Sequence, residues 1–191
     1  MFPDLPPNPP VLIDPLPYES RLDARPLSQI DLVVIHCTEV PTLELSRTFG
    51  ERILYEGSGT GNSGHYYIDR DGRVVLYVQP GRIANHVRGY NEHSVGIELV
   101  NTGRYPHWRD SKHQAMDEPY PEPQIEALIG LLRQLQAQLP LRHIAGHEDL
   151  DTALETAIDD PAIQVPRKRD PGPMFPWSRV LEATGLPRLV P

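Results

Sequence analysis

Four apolar residues in a row, Leu32-Val33-Val34-Ile35, run directly into His36. Three of them are β-branched, which stiffens the side chain and suits a packed, pleated backbone. The run is too short for a buried helix and reads as a buried strand. Its end delivers a histidine to the place where open sheets usually put their ligands, the carboxyl edge of a central strand. The other segments have to be arranged around that strand.

Their patterns mix strands with helices. Residues 42–54 carry Leu45, Phe49 and Ile53 at helical spacing, and a glycine-rich loop follows at residues 57–64. Tyr66 to Asp69 and Arg73 to Val78 flank Asp71-Gly72, a strong hairpin signal. Ser94 to Val100 reads as another strand. Residues 106–123 are polar and proline-rich, a long loop. Residues 124–138 place Ile125, Leu128, Ile129, Leu132 and Leu135 on one helical stripe. Arg142 to Gly146 predicts a short strand, residues 148–164 an acidic loop, and residues 178–183 a short helix. The expected fold class is α/β, a mixed central β-sheet flanked by helices.

Residues 1–29 hold eight prolines. Proline fixes φ and removes donors, so this arm is expected to be extended, without a core of its own. Leu12, Ile13, Leu16 and Tyr18 are able to lay it on the domain, and an ordered strap and a flexible tail both remain open. Residues 30–191 are expected to form one domain.

The net charge of −8 argues against a nucleic-acid partner. No apolar run approaches the roughly 20 residues of a membrane helix. Cys37 is the single cysteine, which excludes an internal disulfide. The start has neither a basic nor an apolar leader segment, so the chain as it stands is expected in the cytoplasm; its oligomeric state is left open by the sequence, with a monomer favoured.

The chemistry-bearing residues are few. Alone, His36 reads first as a core histidine. His143 and His147 are four apart, but Ile144 and Gly146 favour a strand, where that spacing is roughly 13 Å. Only one of them can serve a given metal. His147, at the strand's end, is the better candidate, and His143 reads as a packing residue. In Arg167-Lys168-Arg169-Asp170-Pro171-Gly172-Pro173 the lysine and aspartate are two apart and share a face of an extended run, and Pro171 keeps Asp170 extended. A solvated basic turn is the plain alternative. Glu98 points away from the face of Val95, Ile97 and Leu99, to a sheet edge or into a cleft. Burial in a cleft would raise its pKa toward that of a general base. His65 and His86 are open between substrate contact and packing. His93, His107 and His113 lie in polar stretches and are assigned no role. Two imidazoles and a carboxylate can hold one zinc with a position open, so the inventory suits metal-dependent hydrolysis.

Five segments in order, Val-Val-Ile-His-Cys-Thr-Glu, Gly-His-Tyr-Tyr-Ile-Asp-Arg-Asp-Gly, Ser-Val-Gly-Ile-Glu-Leu, Ala-Gly-His-Glu-Asp and Lys-Arg-Asp-Pro-Gly-Pro-Met-Phe, lie within residues 32–177. Together they resemble the zinc-dependent N-acetylmuramoyl-L-alanine amidases of the amidase-2 group, which includes the AmpD-like enzymes and the peptidoglycan recognition proteins. The resemblance implies a single Zn2+ held by His36, His147 and Asp170, Glu98 as catalytic acid and base, and Lys168 as stabiliser of the oxyanion. It implies muropeptides as ligands, with His65, His86 and Arg88 as candidate substrate contacts, and a role in cell-wall recycling. An amidase acting on intact wall and a non-catalytic peptidoglycan-binding module are the alternatives. The aspartate ligand places the chain nearer the AmpD-like branch. Phage-type members carry a tyrosine where this chain has Gly64, which leaves the role to Glu98. The segment between His147 and Lys168 is longer than in short AmpD-like members, and it makes Asp149 and Asp151 runner-up ligands.

Overall fold

The computed structural model describes residues 9–191. The first eight residues of the proline-rich arm lie outside the described residues. In chain order the elements are β1 (Val11–Ile13), β2 (Leu32–Cys37), α1 (Leu43–Gly50), β3 (Tyr66–Ile68), β4 (Val74–Leu76), β5 (Ser94–Leu99), α2 (Glu122–Gln138), β6 (His143–Gly146), α3 (His147–Leu150), β7 (Leu154–Thr156), β8 (Gln164–Pro166) and α4 (Trp177–Thr184). Six strands form one sheet in the order β1-β4-β3-β5-β2-β6, and β7 and β8 form a separate hairpin. Only the β3–β4 hairpin is antiparallel within the large sheet. The fold is therefore the expected mixed sheet with helices.

Strand β2 lies between β5 and β6, parallel to both. All six of its residues are buried, as its uninterrupted apolar run requires. The two-residue period of a strand then sorts side chains between faces. Val33, Ile35, Val95, Ile97 and Ile144 pack under Ile125, Leu128 and Leu132 of α2 and Val180 of α4. The opposite face carries His36 and Glu98. Register fixes their relation, because His36 pairs with Glu98 and Glu98 pairs with Tyr67 on β3. Three polar side chains from three adjacent strands thus stand level on one face.

The proline-rich arm from Pro9 onward is an ordered strap. Strand β1 adds to the sheet beside β4, and Asp14 and Leu16 continue the ladder to Leu76 and Tyr77 at 3.0 and 2.9 Å. Leu16, Tyr18 and Leu22 are buried with Leu43, Tyr67, Val75 and Tyr77. The Tyr18 hydroxyl donates to the Gly50 carbonyl at 2.7 Å. The strap shares a core with the domain, so packing draws no boundary at residue 30.

Two expectations are corrected. Helix α1 ends at Gly50, capped at its start by the Thr42 hydroxyl, and buries Leu43 and Ser46 rather than Leu45, Phe49 and Ile53. Ile53 is exposed beyond the helix. The helical spacing was real but phased to the wrong face. The acidic segment 148–164 is not a loop alone, since it contains α3 and most of the β7–β8 hairpin. Among the described residues, no helix is long and apolar enough to cross a membrane.

If the strap is part of the core, Leu16→Ala should lower unfolding free energy by about 2–4 kcal/mol in urea titrations. Leu12→Ala, at 57 % exposure, should change it by less than about 0.5 kcal/mol. Equal, small effects would mean a strap that contributes no stability.

Candidate metal centre

His36 ends β2, His147 opens α3 immediately after β6, and Asp170 lies in the extended segment that follows β8. The topology brings them together although Asp170 is 134 residues from His36. One carboxylate oxygen of Asp170, Oδ2, lies 3.0 Å from His36 Nδ1 and 3.1 Å from His147 Nδ1. All three residues are buried, and the ligand atoms lie within 4.8 Å of one another. Backbone contacts hold the aspartate in place: Glu148 N–H donates to the Asp170 carbonyl at 2.9 Å, and the Tyr120 hydroxyl donates to the Pro171 carbonyl at 2.7 Å.

A chain of hydrogen bonds decides where the proton of His36 resides. Ser94 Oγ donates to the Tyr90 carbonyl at 2.7 Å, so it accepts from His86 Nε2 at 3.2 Å. His86 Nδ1 is then the acceptor for His36 Nε2–H at 3.0 Å. That leaves His36 Nδ1 with a lone pair aimed at Asp170. Burial, then the neighbouring His147, lowers the His36 pKa to about 4, so the ring is neutral. An anionic oxygen facing a lone pair at 3.0 Å is repulsive unless a cation stands near both. Asp170 Oδ1 is buried without a hydrogen-bond partner as well. The donor set of two imidazoles and a carboxylate fits zinc, whose tetrahedral ligand atoms stand about 3.3 Å apart.

Glu98 Oε1 lies 4.0 Å from His36 Nδ1, beside the ligand set but outside it. Burial, reinforced by Asp170 and opposed by Lys168, pushes its carboxyl up to about 8. Its place depends on glycine. A Cβ at Gly64 would meet Glu98 Cγ at 2.8 Å, so the missing side chain at that position is what leaves room for the glutamate. Likewise a Cβ at Gly96 would meet His86 Nδ1 at 2.6 Å.

Lys168, Glu98, His36, His147 and Asp170 all line one cleft of about 760 Å³, with Arg88 at its exposed rim. The cleft has the size of a small-molecule site. His86 lines it too, although both of its ring nitrogens are committed to the chain just described. His65 is a correction. It is fully buried and does not line the cleft; its Nδ1 accepts from Gly96 N–H at 3.0 Å and its Nε2 donates to the Arg82 carbonyl at 3.1 Å. Burial, then Arg25, lowers its pKa to about 3, and the ring acts as a neutral cross-strand bridge. The runner-up ligands are otherwise engaged. Asp149 holds Arg188 and the Gly146 N–H, and Asp151 is paired with Arg167, 4.0 Å from His147 Nε2.

Two elements of the site have no counterpart in the sequence reading. Ser94 shares the parity of Glu98 along β5, and that period would have placed it on the same face. The buried pair Glu39–Arg104 had no local signal, since its members are 65 residues apart. Arg104 also donates to the carbonyls of Pro166 and Arg167, at 2.8 and 3.4 Å, and so ties down the backbone leading to Lys168.

Comparisons with known proteins bear on the family and the fold. The sequence is 34% identical over 122 residues to the 1,6-anhydro-N-acetylmuramyl-L-alanine amidase AmpD of Enterobacter cloacae, covering 59% of this chain and 51% of that protein. It is 32% identical over 94 residues to the N-acetylmuramoyl-L-alanine amidase AmiD of Escherichia coli K12, covering 48% of this chain and 28% of that protein. The match thus spans about half or less of either relative. Among solved structures, the E. coli AmiD complex with anhydro-N-acetylmuramic acid-L-Ala-D-gamma-Glu-L-Lys superposes with a TM-score of 0.62 at 25% identity, over 83% of this chain and 58% of that one. The amidase LysC from Clostridium intestinale URNW shares the fold at a TM-score of 0.65 and 18% identity, over 93% of this chain and 99% of its own. Residues 26–173 match the sequence model of the Amidase_2 family, described as N-acetylmuramoyl-L-alanine amidase, and the chain belongs to that family.

Proposed function

We propose that this chain is a zinc-dependent amidase that hydrolyses the bond between the lactyl group of (anhydro-)N-acetylmuramic acid and L-alanine of the peptidoglycan stem peptide, in cell-wall recycling. The observation that carries the reading is the convergence of His36, His147 and Asp170 with Glu98 and Lys168 in one cleft. A non-catalytic binding module has no need of a carboxylate held at a pKa of about 8 beside a ligand set.

His36, His147 and Asp170 are the residues that hold the metal. A bound zinc ion supplies Lewis acidity and makes water a nucleophile near neutral pH. Glu98 takes a proton from the attacking water and later gives it to the departing amine of L-alanine. A carboxyl with a pKa close to the working pH is suited to both transfers. Lys168 stabilises the negative charge that grows on the carbonyl oxygen. Water adds to the carbonyl carbon, the C–N bond breaks, and the products are the lactyl carboxylic acid and a free stem peptide. Arg88 has no carboxylate partner among the described residues and is available for a carboxylate of that peptide.

Mass-spectrometric product analysis tests the reaction. The zinc-loaded protein should release stem peptide from soluble 1,6-anhydro-muropeptide, and Glu98→Gln should keep its zinc and lose at least about 100-fold in turnover. Release from insoluble sacculi would redirect the reading to intact wall. No release from either substrate by zinc-loaded protein would leave a binding module.

His86→Ala removes the acceptor that holds His36 in its tautomer. Zinc affinity, read by competition with a chromophoric chelator, should fall by about 10–100-fold while the protein stays folded. Unchanged affinity would mean that His36 needs no orienting partner.

A further inference from the structure

Away from the cleft's ligand set, the loop after β5 carries three residues at a spacing of three: His107, Asp110 and His113. The backbone explains why they meet. His107 N–H donates to Arg104 O at 2.7 Å, Asp110 N–H to His107 O at 3.0 Å, and His113 N–H to Asp110 O at 3.2 Å. Three successive hydrogen-bonded turns, each closed three residues on, thus fold the segment back and bring these residues together. The two imidazoles stack, with centroids 4.5 Å apart and planes inclined by 29°. His113 Nδ1 lies 3.0 Å from Asp110 Oδ1. One ligand atom from each of the three residues lies within 4.8 Å of those of the other two.

We propose that His107, Asp110 and His113 form a second metal site, specific for a divalent transition ion such as Zn2+. Two imidazoles and one carboxylate select that class over Mg2+ or Ca2+, which take oxygen ligands. The loop is braced for the purpose. The Gln114 amide donates to the carbonyls of Trp108 and Asp110 at 3.1 and 2.9 Å, and Ser111 binds the Asp159 carboxylate through its N–H and hydroxyl at 2.7 and 2.8 Å. The ligands are exposed or half-buried, so an ion enters from solvent without opening the fold. Trp108 and Arg109 stand between the first two ligands, and both line the cleft. Trp108 Nε1 donates to the Glu39 carbonyl at 3.1 Å, and Arg109 pairs with Glu155 on β7 at 3.2 Å. An ion held here fixes the cleft wall where it meets the β7–β8 hairpin. The site shares no residue with the buried ligand set.

Metal-free protein titrated with Zn2+ alone, against a chromophoric chelator, gives the stoichiometry. Wild type should bind two equivalents and a His107→Ala/His113→Ala variant one, with the same melting temperature for the two metal-free proteins. One equivalent in wild type and none in the variant would still assign an ion to this loop, and would count instead against the His36 site. Equal stoichiometry in the two proteins overturns the proposal.

Discussion

The site depends on a short row of hydrogen bonds: Tyr90 carbonyl, Ser94 hydroxyl, His86, His36. Each donor in that row fixes the role of the next atom. The outcome is an unprotonated Nδ1 of His36 aimed at Asp170, held 3.0 Å from a carboxylate oxygen. In isolation that arrangement is unfavourable, more so for being buried, and the protein sustains it because each partner is individually braced. A cation makes the same geometry favourable. Strand β5 supplies Ser94 at one end and Glu98 at the other, so the element that sets the tautomer also positions the proposed general base.

The rest of the fold brings these groups to one level. A parallel pairing of β2 with β5 puts His36 opposite Glu98, and a one-residue slip of either strand would turn that strand's own residue toward α2. Gly64 and Gly96 withhold the side chains that would otherwise fill the space of Glu98 and His86. The strap and α1 close the same face of the sheet farther along. The ion pairs Glu39–Arg104 and Asp151–Arg167 hold the segment of Lys168 and Asp170 against the strand ends.

Much of this was legible in the sequence for identifiable reasons. The run from Leu32 to Ile35 needs burial on both faces, so its strand and the position of His36 followed directly. Alternation along β5 gave the direction of Glu98, and the stripe from Ile125 to Leu135 gave α2. What was not legible depends on contacts between distant residues. Helix α1 was misphased because Phe49 and Ile53 look like a stripe, whereas the strap covers the face of Leu43. The sequence leaves the roles of His65 and His86 equally open, yet one is a buried bridge and the other holds His36, a difference set by segments far apart in the chain. The β7–β8 hairpin and Arg104 carry no local pattern that announces them.

The most direct test of the account is the protonation state of each histidine ring nitrogen, read by long-range 1H–15N NMR correlation on the uniformly 15N-labelled protein with one equivalent of Zn2+. The account predicts the Nε2–H form for both His36 and His86, with His36 Nδ1 shifted as a metal-bound nitrogen. A proton on His36 Nδ1, or a metal-shifted Nε2 at that residue, would contradict it.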